Sequence, residues 1–439
     1  ADEELRFNWN APLSTSLHNP ERLYVASQFV HVSDDRGETW RKMSPDLTTN
    51  DPAKQQQDQS GGISVDNSGA ENHCTIFTIN ESPINKDIIW VGTDDGNVQV
   101  TFDGGKNWKN VTANLSGIPK NTWTYFIEPS RFDENTAYAV FDGHAQNDRK
   151  PYIQKTTDGG KTWLAINTEG VADFARSIRE DLKNPNLLFL GTEQGLYITV
   201  DGGQNWSQFT NNMPPVAVHY MVIHPTEDAL VMGTHGRGII IIDDISPLRQ
   251  ITANLLENEL TFLKAKPTVM KEPGGFAGYS EVGDFVGPNP VSAAQINYFM
   301  NKRHTFGKMT MQVFDEDGNV VADLPPGKSK GINTVEWNYR LKPPKTANGK
   351  VPTGAGFTGP PAPAGTYKIV INKGKSEFSG SLELINDPES IHSDSDRIAQ
   401  QKATKELFDL NEKVAYLVTQ VDMLIPHAET LQAKITDKK

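Results

Sequence analysis

One cysteine in 439 residues leaves this chain unable to form an intrachain disulfide or a thiolate metal cluster. Long apolar runs are missing too, and nothing approaches the roughly 18 consecutive apolar residues that a membrane-spanning helix needs. Positive charge is in deficit: the formal net charge is −13 and no Lys/Arg run occurs, so a nucleic-acid footprint is absent. The phosphate-cradle spacing before a helix is lacking, although GGKNW and GGKTW superficially invite that reading. No Asp-x-Asp-x-Asp-Gly loop with a distal Glu is present, so calcium has only oxygen-rich turns to offer it. His219 and His224, five residues apart, fall on opposite faces of a strand and make no ready zinc pair. No cofactor and no metal site are therefore expected. The chain begins ADEEL, without Met or a signal sequence, as a processed exported protein or a cut fragment would. The lone Cys74, in the apolar phrase HCTIFTI, reads as a small buried side chain in a strand.

Against these absences stands one repeated turn. SDDRGETW (33–40), TFDGGKNW (101–108), TTDGGKTW (156–163) and TVDGGQNW (199–206) share the pattern Ser/Thr-x-Asp-x-Gly-x-(Ser/Thr/Asn)-Trp. The Trp residues at 40, 108, 163 and 206 are 68, 55 and 43 apart, so a unit of 40–50 residues carries insertions in some copies. That period, with several short apolar strands per unit, predicts propeller blades. Before the turns come RLYVASQFVHV, IIWVGTDDGNVQV, TAYAVFDGH and LLFLGTEQGLYIT, and a fifth version, ALVMGTHGRGIIIIDD, lacks the turn and looks like a terminal or closing blade. Asp35, Asp103, Asp158 and Asp201 would accept backbone N–H groups across the bend, glycines would take positive φ, and Trp40, Trp108, Trp163 and Trp206 would pack between strands or blades. Four copies of an acidic turn are read as structural, not catalytic.

Strand alternation then divides the two ends of each unit. The repeated turns and the first hairpin turns share one face; the second hairpin turns and the links between units share the other. The second face gathers the polar link 48–72, the inserted loop 142–151 with His144, Asp148 and Arg149, and a Gly-Thr-x-x-Gly series presenting Asp94, Asp95, Glu193, Gln194, His235 and Arg237. Asp173, Arg176 and His219 at the starts of inner strands complete a polar basin. Asp95 and Glu193 are the candidate acid pair if the basin hydrolyses glycosides, a reaction that needs two carboxyls about 5–9.5 Å apart. Asp94, His144, Asp148, Arg149, Asp173, Arg176, His219, His235 and Arg237 are candidate ligand contacts, with the arginines able to clamp a carboxylate.

The repeated turn resembles the Asp-box, or BNR repeat, of sialidases, two-propeller xyloglucanases and sortilin-type receptors. SPDLT (44–48), VGTDDGNVQVTFDGG, GHAQNDRKPY, GTEQGLY and THGRG with its following Asp pair are similar to large bacterial exported proteins described as glycosyl-hydrolase-like or sortilin-like. The resemblance covers residues 7–386 and implies secreted, periplasmic or cell-surface placement. It also implies that the Asp boxes lie opposite the ligand face, and that an upstream portion of the propeller precedes this segment. The arginine triad and Tyr/Glu nucleophile of sialidases have no counterpart in the sequence.

The second half predicts a short helix over 249–258, then a strand in ELTFLKAKPTVM that exits the propeller, then a Gly/Pro-rich connector. INYFM, KMTMQVFDEDGNVVADL, INTVEWNYRL, GTYKIVINKG and FSGSLELIND supply about six alternating strands of a small sandwich around Trp337. These phrases resemble an FlgD-type immunoglobulin-like module. From 387 the apolar spacing turns helical, with Ser393 or Ser395 as cap and Pro426 as the end, and 427–437 as a returning short helix. The stripe needs a partner, although a long coiled coil would require more heptads. The expected fold is all-β, with about five propeller blades over 1–247, a linker or closing strand over 248–272, an immunoglobulin-like sandwich over 273–386 and a helical hairpin or long helix over 387–439. Three functions compete: binding of a peptide, protein or glycan; glycoside hydrolysis of a polysaccharide or sialoglycan; and a structural role in a larger assembly.

Overall fold

A computed structural model describes residues 4–56, 72–271, 292–347 and 358–436. Most of the connector from 271, the middle of the link 48–72 and part of the loop 342–364 lie outside the described residues. The chain is mostly β-structure with one long C-terminal helix, and it divides into two compact units, Ala1–Arg249 and Gln250–Lys439. Among the described residues no helix is long and apolar enough to cross a membrane.

The first unit is five antiparallel meanders in chain order. Their first strands are Leu13–Thr15, Ile76–Glu81, Trp123–Pro129, Ala175–Glu180 and Val218–Ile223. The first four sheets have four strands each, and the fifth stops at three. Its missing fourth strand follows from the sequence, because the phrase at 229–244 has no Asp-Gly-Trp turn to start one.

Burial explains why the second strands read as continuous apolar runs instead of alternating ones. Ile89–Thr93, Ala137–Asp142 and Leu188–Thr192 are buried along their whole length, because each sheet is covered on both faces. Alternate residues serve alternate neighbours. Ile89 and Val91 pack with Tyr24 and Val32 of the first sheet, while Trp90 packs with Ile127 and Phe141 of the third. Tyr138 and Val140 face Leu188 and Leu190 of the fourth, whose Phe189 faces Met221 and Leu230 of the fifth. The two terminal sheets are covered on one side, and the fifth leaves Tyr220, Val222, Ile239 and Ile241 exposed.

Two glycines set how closely the sheets approach. A Cβ on Gly92 would lie 2.4 Å from Thr124 Cγ2 of the next sheet, and one on Gly191 would lie 2.4 Å from the Val218 carbonyl oxygen. The equivalent Gly233 of the fifth sheet has its nearest neighbour at 3.8 Å.

The repeated turns are closed by the same bonds each time. In the second copy Asp103 Oδ1 accepts the Asn107 backbone N–H at 2.9 Å, its Oδ2 accepts from Asn107 Nδ2 at 2.6 Å, and Thr101 Oγ1 accepts from Gly105 N at 3.0 Å. Asp35 binds Thr39, Asp158 binds Thr162 and Asp201 binds Asn205 through the same two oxygens. The glycine after the aspartate donates to a first-hairpin carbonyl, as Gly104 does to Asp87 and Gly159 to Asn135, so both turns sit at one end of each sheet. In the first copy that position is Arg36, held at φ 60° without glycine's freedom. The tryptophans diverge. Trp163 is 4% exposed and meets Trp90 edge-on at 5.8 Å, and Trp206 donates to the Asn167 carbonyl. Trp40 is 43% exposed, which corrects the expectation that all four pack between strands; its Nε1 closes back on the Gly37 carbonyl at 2.9 Å, and no earlier sheet covers it.

A second recurring tie is carried by buried glutamates. Glu81 accepts from Ser16 Oγ, Leu17 N and Tyr24 OH of the preceding sheet, and Glu180 accepts from Ser130 Oγ, Arg131 N and Tyr138 OH. Each carboxylate thereby joins two neighbouring sheets while its own charge is satisfied.

In the second unit, Leu260–Leu263, Ala294–Met300 and Gly331–Trp337 form one sheet. Thr268–Met270, Ser376–Asn386, Gly365–Lys373, Met309–Phe314 and Val320–Leu324 form the other. The two share one core in which Trp337 meets Tyr367 at 4.9 Å. Leu260–Leu263 pairs with Ala294–Met300, so the strand expected to close the first unit belongs to a sheet of the second. The helix expected over 249–258 is Ala253–Glu257, capped by Thr252. The C-terminal helix runs unbroken from Asp394 to Thr436. Ser393 caps it, its Oγ accepting from Asp396 N at 3.3 Å. Pro426 therefore does not end it, and no returning helix exists. Proline removes one N–H and crowds one carbonyl, and the helix-forming residues on both sides carry the chain through.

The glycine contacts predict a paired outcome in urea denaturation. Gly191→Ala should lose about 2–3 kcal/mol of stability, whereas Gly233→Ala should lie within about 0.5 kcal/mol of the parent. Acid unfolding tests the repeated turns. Hydrogen bonds from Asn107 hold the Asp103 carboxyl at about 2, against 3.8 ordinarily. The folded state thus binds fewer protons in that window, and its stability is complete above pH 3.8 and lost as pH falls toward 2. Asp103→Asn should show a shallower fall of the thermal midpoint across that window than the parent.

Candidate functional site

At the end of the sheets opposite the repeated turns, one local irregularity recurs. In the second sheet Ile76 pairs with Thr93 and Thr78 with Gly92, leaving Phe77 as an extra residue. The third sheet skips Tyr125, the fourth skips Arg176 and the fifth skips His219 in the same way. A bulge places two residues against one and re-aims the extra side chain. Four successive sheets therefore turn Phe77, Tyr125, Arg176 and His219 toward one another.

The rings meet as that placement requires. Phe77 and Tyr125 are 4.8 Å apart, the Arg176 guanidinium lies 4.8 Å from the Tyr125 ring and 4.5 Å from Phe174, and Tyr125 lies 6.4 Å from His219. His219 stacks on His235 at 5.2 Å. On the other flank His144 stacks on Phe174 at 5.0 Å, and Trp123 stands 5.2 Å from Phe77 and 6.3 Å from both His144 and His73. Burial raises the Tyr125 hydroxyl pKa above its ordinary value. The His219 imidazole is held below its ordinary value by burial and then by the Arg176 charge, so it is neutral at pH 7.

A second equivalent position supplies the charge. The residue just past the bulge partner is Asp94, Asp142, Glu193 or His235 in the four sheets. Asp142, wholly buried, accepts from Arg176 Nη1 at 2.8 Å, from the His144 backbone N–H at 2.9 Å and from His144 Nδ1 at 2.7 Å. An ionised carboxylate only accepts, so Nδ1 of His144 points a proton at it and Nε2 faces away from it. The same guanidinium reaches Glu193 Oε2, through Nη2 at 3.2 Å and Nε at 3.3 Å. Asp173, at φ 67°, takes Arg149, Gln194 and the Phe174 N–H. Burial alone would raise its carboxyl pKa, but those donors outweigh it and the net shift is downward.

His144, Arg149, Asp173, Arg176, Glu193, His219 and His235 thus form one contiguous group. Asp94 joins it at the edge through His73, 3.8 Å away, and burial raises its pKa. Asp95 is turned inward, bound by Thr93 Oγ1, Thr49 N and Thr49 Oγ1, and shares no partner with Glu193 among the described residues. Asp148 is engaged by Tyr152 at 2.6 Å, and Arg237 is exposed on the His235 turn. Cys74 is buried just before the strand instead of within it, with burial pushing its thiol up to about 11. Among the described residues no three metal-ligating side chains gather to hold an ion.

Phe77, Trp123, Tyr125, Asp142 and Phe174 escaped the sequence reading. The signal that finds Asp142 is alignment of the units by strand pairing. Val140-Phe141 stands where the second, fourth and fifth units have Gly-Thr, so the motif series passes over it.

No family model matches the chain, and no curated protein matches it. Among solved structures it is weakly similar to several β-rich proteins. An ancestral GH74 enzyme shares 15% identity over 77% of this chain and 40% of its own, with a TM-score of 0.40. The GH74 xyloglucanase from Xanthomonas campestris shares 19% over 55% and 37%, at 0.41. YCF48 bound to D1 peptide shares 16% over 60% and 78%, at 0.33. The chain spans about two-fifths of the length of the two GH74 enzymes, and scores this low carry no argument about function.

The shared guanidinium predicts unequal costs. Arg176→Ala strands the buried Asp142 and should lose about 3–5 kcal/mol in urea denaturation. Arg149→Ala removes an exposed cation from its pair with Asp173 and should leave the urea midpoint near the parent's.

Proposed function

We propose that the first unit is a run of five blades of an Asp-box β-propeller, and that it binds an extended peptide segment on the face opposite the boxes. The observation that carries this reading is the bulge quartet. Four blades aim aromatic, cationic and imidazole side chains at one place, while Trp123, His144, Arg149 and Gln194 rim it with accessible surface. Trp and Arg of this kind are the usual anchors of recognition, and imidazole nitrogens add hydrogen-bonding groups for a peptide backbone.

Hydrolysis is the less favoured reading. A glycosidase keeps one carboxyl protonated near neutral pH. Here Asp142 and Glu193 both face the Arg176 cation, and Asp95 spends its oxygens on Thr49 and Thr93. The exposed apolar faces of the two terminal sheets, including Leu13 on one and Ile239 on the other, support further blades packing there. The two sheets of the second unit, sharing one core, are read as an immunoglobulin-like spacer. Placement outside the cytoplasm belongs to the same proposal.

Arrays of peptides and of glycans, probed with the full chain, test the reading. Peptide binding should weaken roughly tenfold or more in Trp123→Ala and in Arg149→Ala, with thermal midpoints near the parent's, and should be unchanged in Asn107→Ala at the opposite end. Glycan binding without peptide binding would overturn the ligand class. Sugar release abolished by Glu193→Gln would overturn the binder in favour of the hydrolase.

A further inference from the structure

The C-terminal helix carries a pattern that becomes visible once Pro426 is found inside it. Leu407, Leu410, Val414, Leu417, Val421, Leu424, Ala428, Leu431 and Ile435 alternate in steps of three and four without a break, across four heptads. A strict 3.5-residue repeat of this kind is a coiled-coil seam, narrower than the stripe of a helix laid on a globular core. The seam is open along its length: Leu407 is 63% exposed, Leu417 61%, Leu424 63% and Ile435 68%. The chain's own contacts fall elsewhere on the helix. Lys345 N donates to Glu412 on the outer face, and the buried Ala415 lies off the seam. Pro426 also sits on the outer face, where a missing N–H leaves the seam untouched.

The residues at the seam name the occupant. With Leu407 at a, the d positions are Leu410, Leu417, Leu424 and Leu431, all leucine, while Val414, Val421 and Ile435 at a are β-branched. β-branched a with leucine d is the packing preference of parallel two-stranded coils. The flanks agree. The g positions are Lys413, Gln420, His427 and Lys434, and the e positions are Asn411, Val418, Ile425 and Gln432. An antiparallel pair would set g against g and bring Lys413 toward Lys434 of the other copy, whereas a parallel pair sets each g against an uncharged e.

We infer that this helix is a dimerisation element, pairing in parallel and in register with the same helix of a second copy of this chain. Such a dimer would link two first units in one assembly, doubling whatever surface each presents.

Sedimentation equilibrium of the full chain at micromolar concentration should give twice the chain mass. Leu417→Lys with Leu424→Lys should raise the dissociation constant about a hundredfold or more and give a folded monomer, while Met423→Lys, off the seam, should stay dimeric. Because Cys74 is buried, Leu410→Cys offers one accessible thiol. Under mild oxidation it should form an intermolecular disulfide by itself, since each d residue meets its own copy. A monomeric parent chain, or dimers indifferent to the Leu417/Leu424 pair, would overturn the inference. Cross-linking only between Leu410→Cys and Ile435→Cys chains would overturn the parallel arrangement.

Discussion

The first unit depends on how closely one sheet lies on the next. Gly92 and Gly191 leave no room for a side chain, and through that gap the first strand of the following sheet comes down against the second strand of its neighbour. Everything on the face opposite the repeated turns inherits its spacing from that contact. Without it Tyr125 would not reach Phe77, nor the guanidinium of Arg176 the carboxylate of Asp142. At the opposite end the repeated turns close the first four sheets on themselves, while Glu81 ties the second sheet to the first and Glu180 the fourth to the third.

The polar centre of the face is a chain of satisfied polar groups. His144, Asp142, Arg176 and Glu193 are each committed to the next, and Asp173 is committed to Arg149 and Gln194. A buried network of this kind fixes geometry more than it adds net stability, because desolvation offsets most of the attraction. Its value lies in holding ring faces and imidazole edges still.

The repeat was legible because the turn uses a conserved chemistry within the chain: hydroxyl, carboxylate, glycine and indole at fixed offsets. The division into two ends followed from alternation alone, and the first-hairpin carbonyls that accept from Gly104 and Gly159 agree with it. Bulges were not legible. An inserted residue such as Tyr125 leaves no composition signal, only a shift in pairing. Asp142 was hidden because its unit replaces the Gly-Thr phrase, and Asp95 was misjudged because the adjacent Asp94 and Asp95 point to different sides of one turn. The helix end was misread because proline is a strong local stop, while helix propensity on both sides acts over many residues. Trp40 was expected to be buried by analogy with its three counterparts, but burial belongs to the neighbour, and the first sheet has none before it.

The bulge separates two kinds of information in the same strand. Glycine contacts and strand pairing sit on either side of it and specify the fold, while the extra residue itself contributes no ladder partner. Phe77, Tyr125, Arg176 and His219 show how freely that slot can be filled: apolar ring, phenol, cation and imidazole all occur there in one chain. Four of the five sheets thus carry one position that the ladder does not dictate, and what dictates it instead is the side chain waiting on the neighbouring sheet: the Phe77 ring for Tyr125, the Asp142 carboxylate for Arg176.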